Sequence, residues 1–364
     1  MNRFLYYLIF INMIANIIAS VPRILILEKS NGAIIAMVLG TIAGLLITYI
    51  TIKFYNAFPG KNLMELLKIY TPKWFSISVL IYFAANWYIA GSITLVTFTF
   101  VLIRFLTPEM PIITIAISLL IVVSSSLLIK TKSILYMIEI TIVIFSPLII
   151  FFLMKSVFND VFEIDFVKIA LMHINELPNY SAFTASTYLY IGIVNMAVFN
   201  TFFMKRIKLG ILPLLILGAG GLFVISLTYF VPIGIGGFDK IDDLIYPWIS
   251  TSDSIRMKFG IIERLTFFFL LVFLAIAILS ISIHWHGACR LLQSALGLEK
   301  FKWKGHDLSP IFCAILFSFV SFLLILYLSE GQLFSYTTYF FNLLPVFFGI
   351  SMVVFLVIKR RAAK

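Results

Sequence analysis

Ten hydrophobic stretches, separated by short polar connections, leave this chain one broad class of fold. They run over 4–27, 33–52, 75–103, 110–129, 133–154, 183–204, 209–234, 261–283, 308–328 and 333–358. Each comes close to the ~20 apolar residues that a helix rising 1.5 Å per residue needs to cross ~30 Å of hydrocarbon. With 62% hydrophobic and only 12% charged residues, and a mean hydropathy of +1.09, a water-soluble globule is excluded. The reading is an all-α polytopic membrane protein, one integral membrane domain over 1–364.

The charges sort by side. Arg3; Lys53, Lys61, Lys68 and Lys73; Lys130 and Lys132; Lys205, Arg206 and Lys208; Arg290, Lys300, Lys302 and Lys304; and Lys359, Arg360, Arg361 and Lys364 fall on one side of the spans. These are 18 of the 27 Lys and Arg, against three acids, Glu65, Glu299 and Asp307. The opposite side collects Asp160, Glu163, Asp165, Asp239, Asp242, Asp243 and Asp253. The positive-inside rule puts the basic side and both termini in the cytoplasm. The net charge of +11 is therefore topological and points to anionic lipid headgroups, not to nucleic acid. The first stretch is too long for a signal-peptide core and is expected to stay as a span.

Four connections are long enough to have structure. In 55–74, Pro59-Gly60 makes a turn, Asn62 can cap, and MELLKIY predicts a short amphipathic helix stopped by Pro72, lying along the cytoplasmic interface. Loops 155–182 and 236–260 are acidic and extracytoplasmic, the first with room for a helix over 166–175. Segment 284–306 reads as a basic cytoplasmic loop whose GACRLLQSALGLEKFKWK rests on the membrane. Cys289 and Cys313 have neither metal nor redox spacing and read as packing residues.

Two spans look interruptible. The first carries Pro22 in ASVPR and the sixth carries Gly192 in YIGIVN. These are the first members of two five-helix halves, and breaks at matching positions point to a site at a repeat interface.

The segment DDLIYPWISTSDSIRMKFGIIERLTFFFLLVFL, with its Ile-Tyr-Pro element and its Phe-x-x-x-Glu-Arg-Leu, resembles the B subunit of nutrient germinant receptors of spore-forming bacteria. FPGKNLMEL after the second span is similar to that family's equivalent loop. The resemblance covers essentially the whole chain. It implies the fold of amino acid–polyamine–organocation transporters, with two inverted five-helix repeats. It also implies sensing of a small-molecule germinant such as an amino acid, A and C partner subunits, and the spore inner membrane. The chain departs from the pattern at Ala19-Ser20 and at Gly192-Ile193-Val194.

Asn12, Asn16, Ser20 and Arg23 share one face of the first span and should face protein or a cavity. Tyr82, Asn86 and Ala90, with Tyr88 nearby, mark the third span; Tyr188, Gly192 and Asn195 mark the sixth. The expected ligand wall is Asn16, Ser20, Tyr88, Tyr190, Gly192 and Asn195, with Phe269 from the eighth span, in a cavity between spans 1, 3, 6 and 8. Broken-helix N–H groups would hold an anionic end of the ligand. The alternative for these residues is interhelical hydrogen bonding and aromatic packing. Glu139, about two turns into the fifth span, is a candidate for ion or proton coupling or a satisfied structural acid. Arg23, Glu263 and Arg264 are candidates for gating or for pinning the outer loop.

His284-Trp285-His286 reads as an interfacial aromatic cluster, since histidines two apart on a helix do not share a face and no acid or cysteine completes a metal set. No nucleophile–base pair or phosphate-cradling loop occurs, so no enzymatic activity, cofactor or metal is expected. Germinant sensing is the leading reading. A secondary transporter of amino acids or amines with the same fold, and a scaffold subunit that binds nothing, are the alternatives.

Overall fold

The computed structural model describes residues 3–18, 20–255, 265–298, 302–303 and 306–363. Its helices in chain order are α1 (Arg3–Ala15), α2 (Ser20–Leu27), α3 (Ala33–Tyr55), α4 (Leu63–Tyr70), α5 (Lys73–Phe105), α6 (Ile112–Ser125), α7 (Thr131–Val157) and α8 (Ile164–Met172). They continue with α9 (Tyr180–Tyr188), α10 (Met196–Phe199), α11 (Ile211–Gly236), α12 (Pro247–Asp253), α13 (Leu265–Leu296), α14 (Ser309–Tyr327), α15 (Glu330–Asn342) and α16 (Leu344–Ala362). The described strand pairing is a two-residue antiparallel ladder, Lys302–Trp303 with His306–Asp307.

Seven helical units are long and apolar enough to cross a membrane, taking α15 and α16 together. Two more spans are bent pairs: α1 with α2 at 57°, and α9 with the 191–202 segment at 50°. The fourth predicted stretch is the shorter apolar helix Ile112–Leu128, α6 with its terminal 3₁₀ turn.

Both breaks have local causes. The chain leaves α1 after Ala15 and re-enters helix at Ser20. Pro22 lies in the first turn of α2, where a missing N–H costs nothing. Pro22 thus starts the second half-helix; the break itself precedes it, at 16–18. In the sixth span α9 gives way to 3₁₀ geometry at Ile191–Asn195. In the last span the interruption is at Leu343, with Pro345 again in a first turn.

The segment read as a membrane-resting loop, 284–306, is different. α13 runs on through Leu296, and His284, Trp285, His286, Cys289, Leu291 and Gln293 are buried inside the protein. The amphipathic pattern there fits a helix packed among helices, not one on lipid. Residues 256–264, with Glu263 and Arg264, lie outside the described residues. α4 starts with a reciprocal capping box: Asn62 Oδ1 accepts from Glu65 N at 2.9 Å, and Asn62 N donates to Glu65 Oε2 at 3.1 Å.

At the centre, α5 and α13 pack face to face through two reciprocal notches. Gly91 of α5 receives Trp285 of α13, and Gly287 of α13 receives Trp87 of α5. A Cβ on Gly91 would lie 2.6 Å from Trp285 Cδ1, and one on Gly287 would lie 2.7 Å from Trp87 Cδ1. Only glycine leaves room for either indole. Trp285 is fully buried and Trp87 nearly so.

Candidate functional site

Beside this interlock is a cavity lined by Asn86, Trp87 and Ala90 of α5, Tyr188 of α9, Ile191, Val194 and Asn195 of the 3₁₀ turn, His284 of α13, and Phe340, Leu344 and Phe347 of the last span. It offers water ≈ 30 Å³, against the ~10–15 Å³ a single water needs. An amino acid does not fit without movement. The walls are spans 3, 6, 8 and 10, not the expected 1, 3, 6 and 8, because the sixth-span turn stands between α1 and the cavity.

Gly192 explains that arrangement. A Cβ there would collide with the Leu8 carbonyl oxygen and lie 2.9 Å from Ile9 Cα. The bare backbone of the turn meets the bare backbone of α1, so the space expected for ligand holds a helix. Asn12 clamps the same junction: its Nδ2 donates to Tyr188 O at 2.8 Å and to Leu189 O at 3.0 Å. These are carbonyls freed where α9 ends, a case of orphan helix-terminal acceptors satisfied by a side chain. Among the described residues Asn12 Oδ1 has no partner, nor has Ser20 Oγ in α2, and both are buried.

The other expected wall residues go elsewhere. Asn16 sits in the break and turns back to Asn12 O at 2.8 Å. Tyr88 faces α14, its hydroxyl 2.8 Å from Ser321 Oγ and its ring 4.7 Å from that of Phe317. Tyr190 fills the groove between Gly44 of α3 and Gly221 of α11, where a Cβ on either glycine would strike its ring or hydroxyl. Phe269 stacks on Trp248 at 6.0 Å and packs at a tilt against Phe273 at 4.5 Å in the apolar core. Asn195 is at the cavity as expected: Oδ1 accepts from Trp87 Nε1 at 2.8 Å, and Nδ2 donates to Gly192 O at 3.1 Å.

The two charged candidates among the described residues, Glu139 and Arg23, are engaged in structure. Glu139 pairs with Arg3 in fork geometry, Nε–Oε1 3.0 Å and Nη2–Oε2 3.2 Å. Arg23 donates to the carbonyls of Asp242 and Leu244, the latter at 2.8 Å, and so fastens the outer loop to α2. Lys29 completes that fastening, Nζ to Asp242 Oδ2 at 2.7 Å. The hydrogen bond from Lys29 holds the Asp242 carboxyl below its ordinary value, outweighing its partial desolvation. On the same face, Arg104 of α5 forks onto Glu330 of α15, with Nε–Oε1 at 3.2 Å and Nη2 on Oε2.

Sequence reasoning missed His284, Phe340 and Phe347. His284, 5% exposed, was read with His286 and Trp285 as interfacial. The three side chains point three ways: His284 to the cavity, Trp285 into the Gly91 notch, His286 Nε2 to Thr131 Oγ1 of α7 at 2.9 Å. The distance of His284 from a helix end becomes visible only with the run-on of α13 to Leu296, and a polar ring that far inside an apolar span has to face protein. Among the described residues no group of three or more His, Cys, Asp or Glu is placed to hold a metal.

Such a bundle, with two bent spans beside a buried cavity, defines a polytopic α-helical integral membrane protein. The family model for spore germination proteins, Spore_permease, matches residues 2–332, and the chain belongs to that family. No curated protein matches it. It is a germination-related membrane protein of transporter or receptor type.

Proposed function

We propose that this chain is the nutrient-sensing subunit of a spore germinant receptor, with the cavity between spans 3, 6, 8 and 10 as its ligand site. The observation that carries the reading is the sixth span. It is broken beside a cavity with polar atoms, and Asn12, one turn before the first span's own break, clamps it to α1. A straight bundle has no use for two interrupted spans joined in this way. The cavity admits an amino acid only if the broken spans, or α15–α16, move away from the α5–α13 pair, so occupancy and conformation are coupled.

In this reading the two breaks belong to two inverted five-helix repeats. The basic side with both termini faces the cytoplasm against anionic lipid, and the protein sits in the spore inner membrane. A and C partner subunits receive the movement. A small polar nutrient, such as an amino acid, is the ligand.

A working transporter of amino acids or amines is the second reading, supported by the same breaks. Purified protein in proteoliposomes separates the readings. Saturable binding of a labelled amino acid without accumulation supports sensing; accumulation overturns it in favour of transport. Neither binding nor flux leaves a scaffold subunit.

A further inference from the structure

His284 is placed on the cavity wall by the run-on of α13. Its Nδ1 is 2.7 Å from the carbonyl oxygen of Ser280, one turn earlier. A carbonyl only accepts, so Nδ1 carries the proton and Nε2 is left as an acceptor. Among the described residues Nε2 has no hydrogen-bond partner.

The other polar atoms of the wall are partly assigned. Trp87 Nε1 is spent on Asn195 Oδ1, Asn195 Nδ2 on Gly192 O, and Asn86 Nδ2 on Tyr82 O at 2.8 Å. Among the described residues this leaves two acceptors, Asn86 Oδ1 and His284 Nε2, and as donors the second N–H of Asn86 Nδ2, the second N–H of Asn195 Nδ2 and the Tyr188 hydroxyl. Trp87, Phe340 and Phe347 supply ring faces. Among the described residues no Asp, Glu, Lys or Arg lines the cavity. An imidazolium without a counter-charge would be costly at such a place, and the imidazole is neutral.

A wall with spare acceptors beside spare donors selects a ligand that brings donors at one end and acceptors at the other. Aromatic faces without a carboxylate favour an ammonium whose charge is balanced within the ligand itself. An acid without an amino group would leave Asn86 Oδ1 and His284 Nε2 with no donor to accept from.

Resting on the nutrient-site reading above, we infer that His284 is a specificity-determining residue of this cavity, its Nε2 accepting a hydrogen bond from the amino group of a zwitterionic ligand. Rejection follows the same logic. A ligand without that donor leaves Nε2 desolvated and unpaired, and sites built to pair a polar group discriminate strongly against analogues that lack it.

The test uses purified chain in detergent and measures ligand-induced thermal stabilisation as a function of concentration. The probes are glycine, L-alanine and L-valine, and the acids acetate, propanoate and 3-methylbutanoate, which replace the ammonium by hydrogen. Wild type should respond to at least one amino acid and at least tenfold more weakly to its desamino partner. His284→Phe keeps a buried ring and removes the acceptor; affinity for that amino acid should fall at least tenfold. His284→Gln restores an acceptor and should recover part of both affinity and the amino-over-desamino preference. That preference is the readout a purely structural histidine would not move, and it is scored on whichever variant retains wild-type thermal stability without ligand. Wild-type affinity in His284→Phe, or equal response of wild type to both partners, overturns the assignment of His284. Failure of every amino acid to act on wild type overturns the reading of the cavity itself.

Discussion

The α5–α13 pair and the junction of the two broken spans lie against each other, yet they are held together differently. The first is an interlock of side chain into notch, Trp285 at Gly91 and Trp87 at Gly287, with the indoles buried and the helices uninterrupted. The second is backbone against backbone at Gly192 and Leu8, secured by one amide, Asn12, on two orphan carbonyls. An interlock of this kind resists sliding because every displacement drives a ring into a helix. A hydrogen-bonded junction at helix ends can exchange its partners for a ligand's. The cavity lies where the two meet, which is where a moving part needs a fixed one.

The comparison can be broken from its larger side first. Gly192→Val would drive two methyls into the α1 backbone, which has no side chain to yield. The expected cost is about 3 kcal/mol or more, read as loss of membrane accumulation or a collapse of Tm in detergent. Normal accumulation with normal Tm would show that the turn does not press on α1. Gly91→Ala tests the other region. Its Cβ meets the rim of a ring, and a cost of about 2 kcal/mol is expected. Gly91→Ala combined with Trp285→Leu should recover part of that loss, the non-additivity that marks a direct contact.

Asn12→Leu leaves the carbonyls of Tyr188 and Leu189 without donors. A loss of about 1 kcal/mol is expected, above the ~0.6 kcal/mol typical of interhelical hydrogen bonds in membranes because two acceptors are stranded. Its sharper sign is functional: the nutrient response should shift in Asn12→Leu more than in Gly91→Ala at matched protein levels. Glu139→Gln should cost no more than about 0.5 kcal/mol, since Arg3 is 60% exposed in this pair. An altered pH dependence of the nutrient response in this variant would instead make Glu139 a coupling acid. The smallest effect is at the outer loop. Asp242 is held below its ordinary value of 3.8 by Lys29. Its contribution is complete above that value and disappears as pH falls through the lower folded-state value. Limited proteolysis of 236–260 should accelerate in strongly acidic buffer, and Asp242→Asn should show a smaller acid step.

Much of the fold was legible because the bilayer imposes lengths and a charge asymmetry that a sequence must display. Gly192 and Pro22 flagged the right two spans, since residues that weaken a helix are readable one at a time. What they were for was not readable. Whether a missing Cβ admits a ligand or a neighbouring helix depends on which element lies opposite, and Gly192 faces α1. Tyr190 failed for a related reason: glycines 44 and 221 form its groove, and neither lies near it in sequence. His284 was lost to a boundary, because the basic run after it made α13 look finished at 283. Phe340 and Phe347 carry no local signal among 38 phenylalanines.

When ligand enters, the broken spans should move against a fixed α5–α13 pair. Hydrogen exchange of the purified protein, with and without whichever amino acid stabilises it, measures this directly. Exchange should change at 12–18 and 188–196 and stay the same in α5 over 84–95 and in α13 over 280–291. Changes confined to α5 and α13, with the two breaks unaffected, would contradict it.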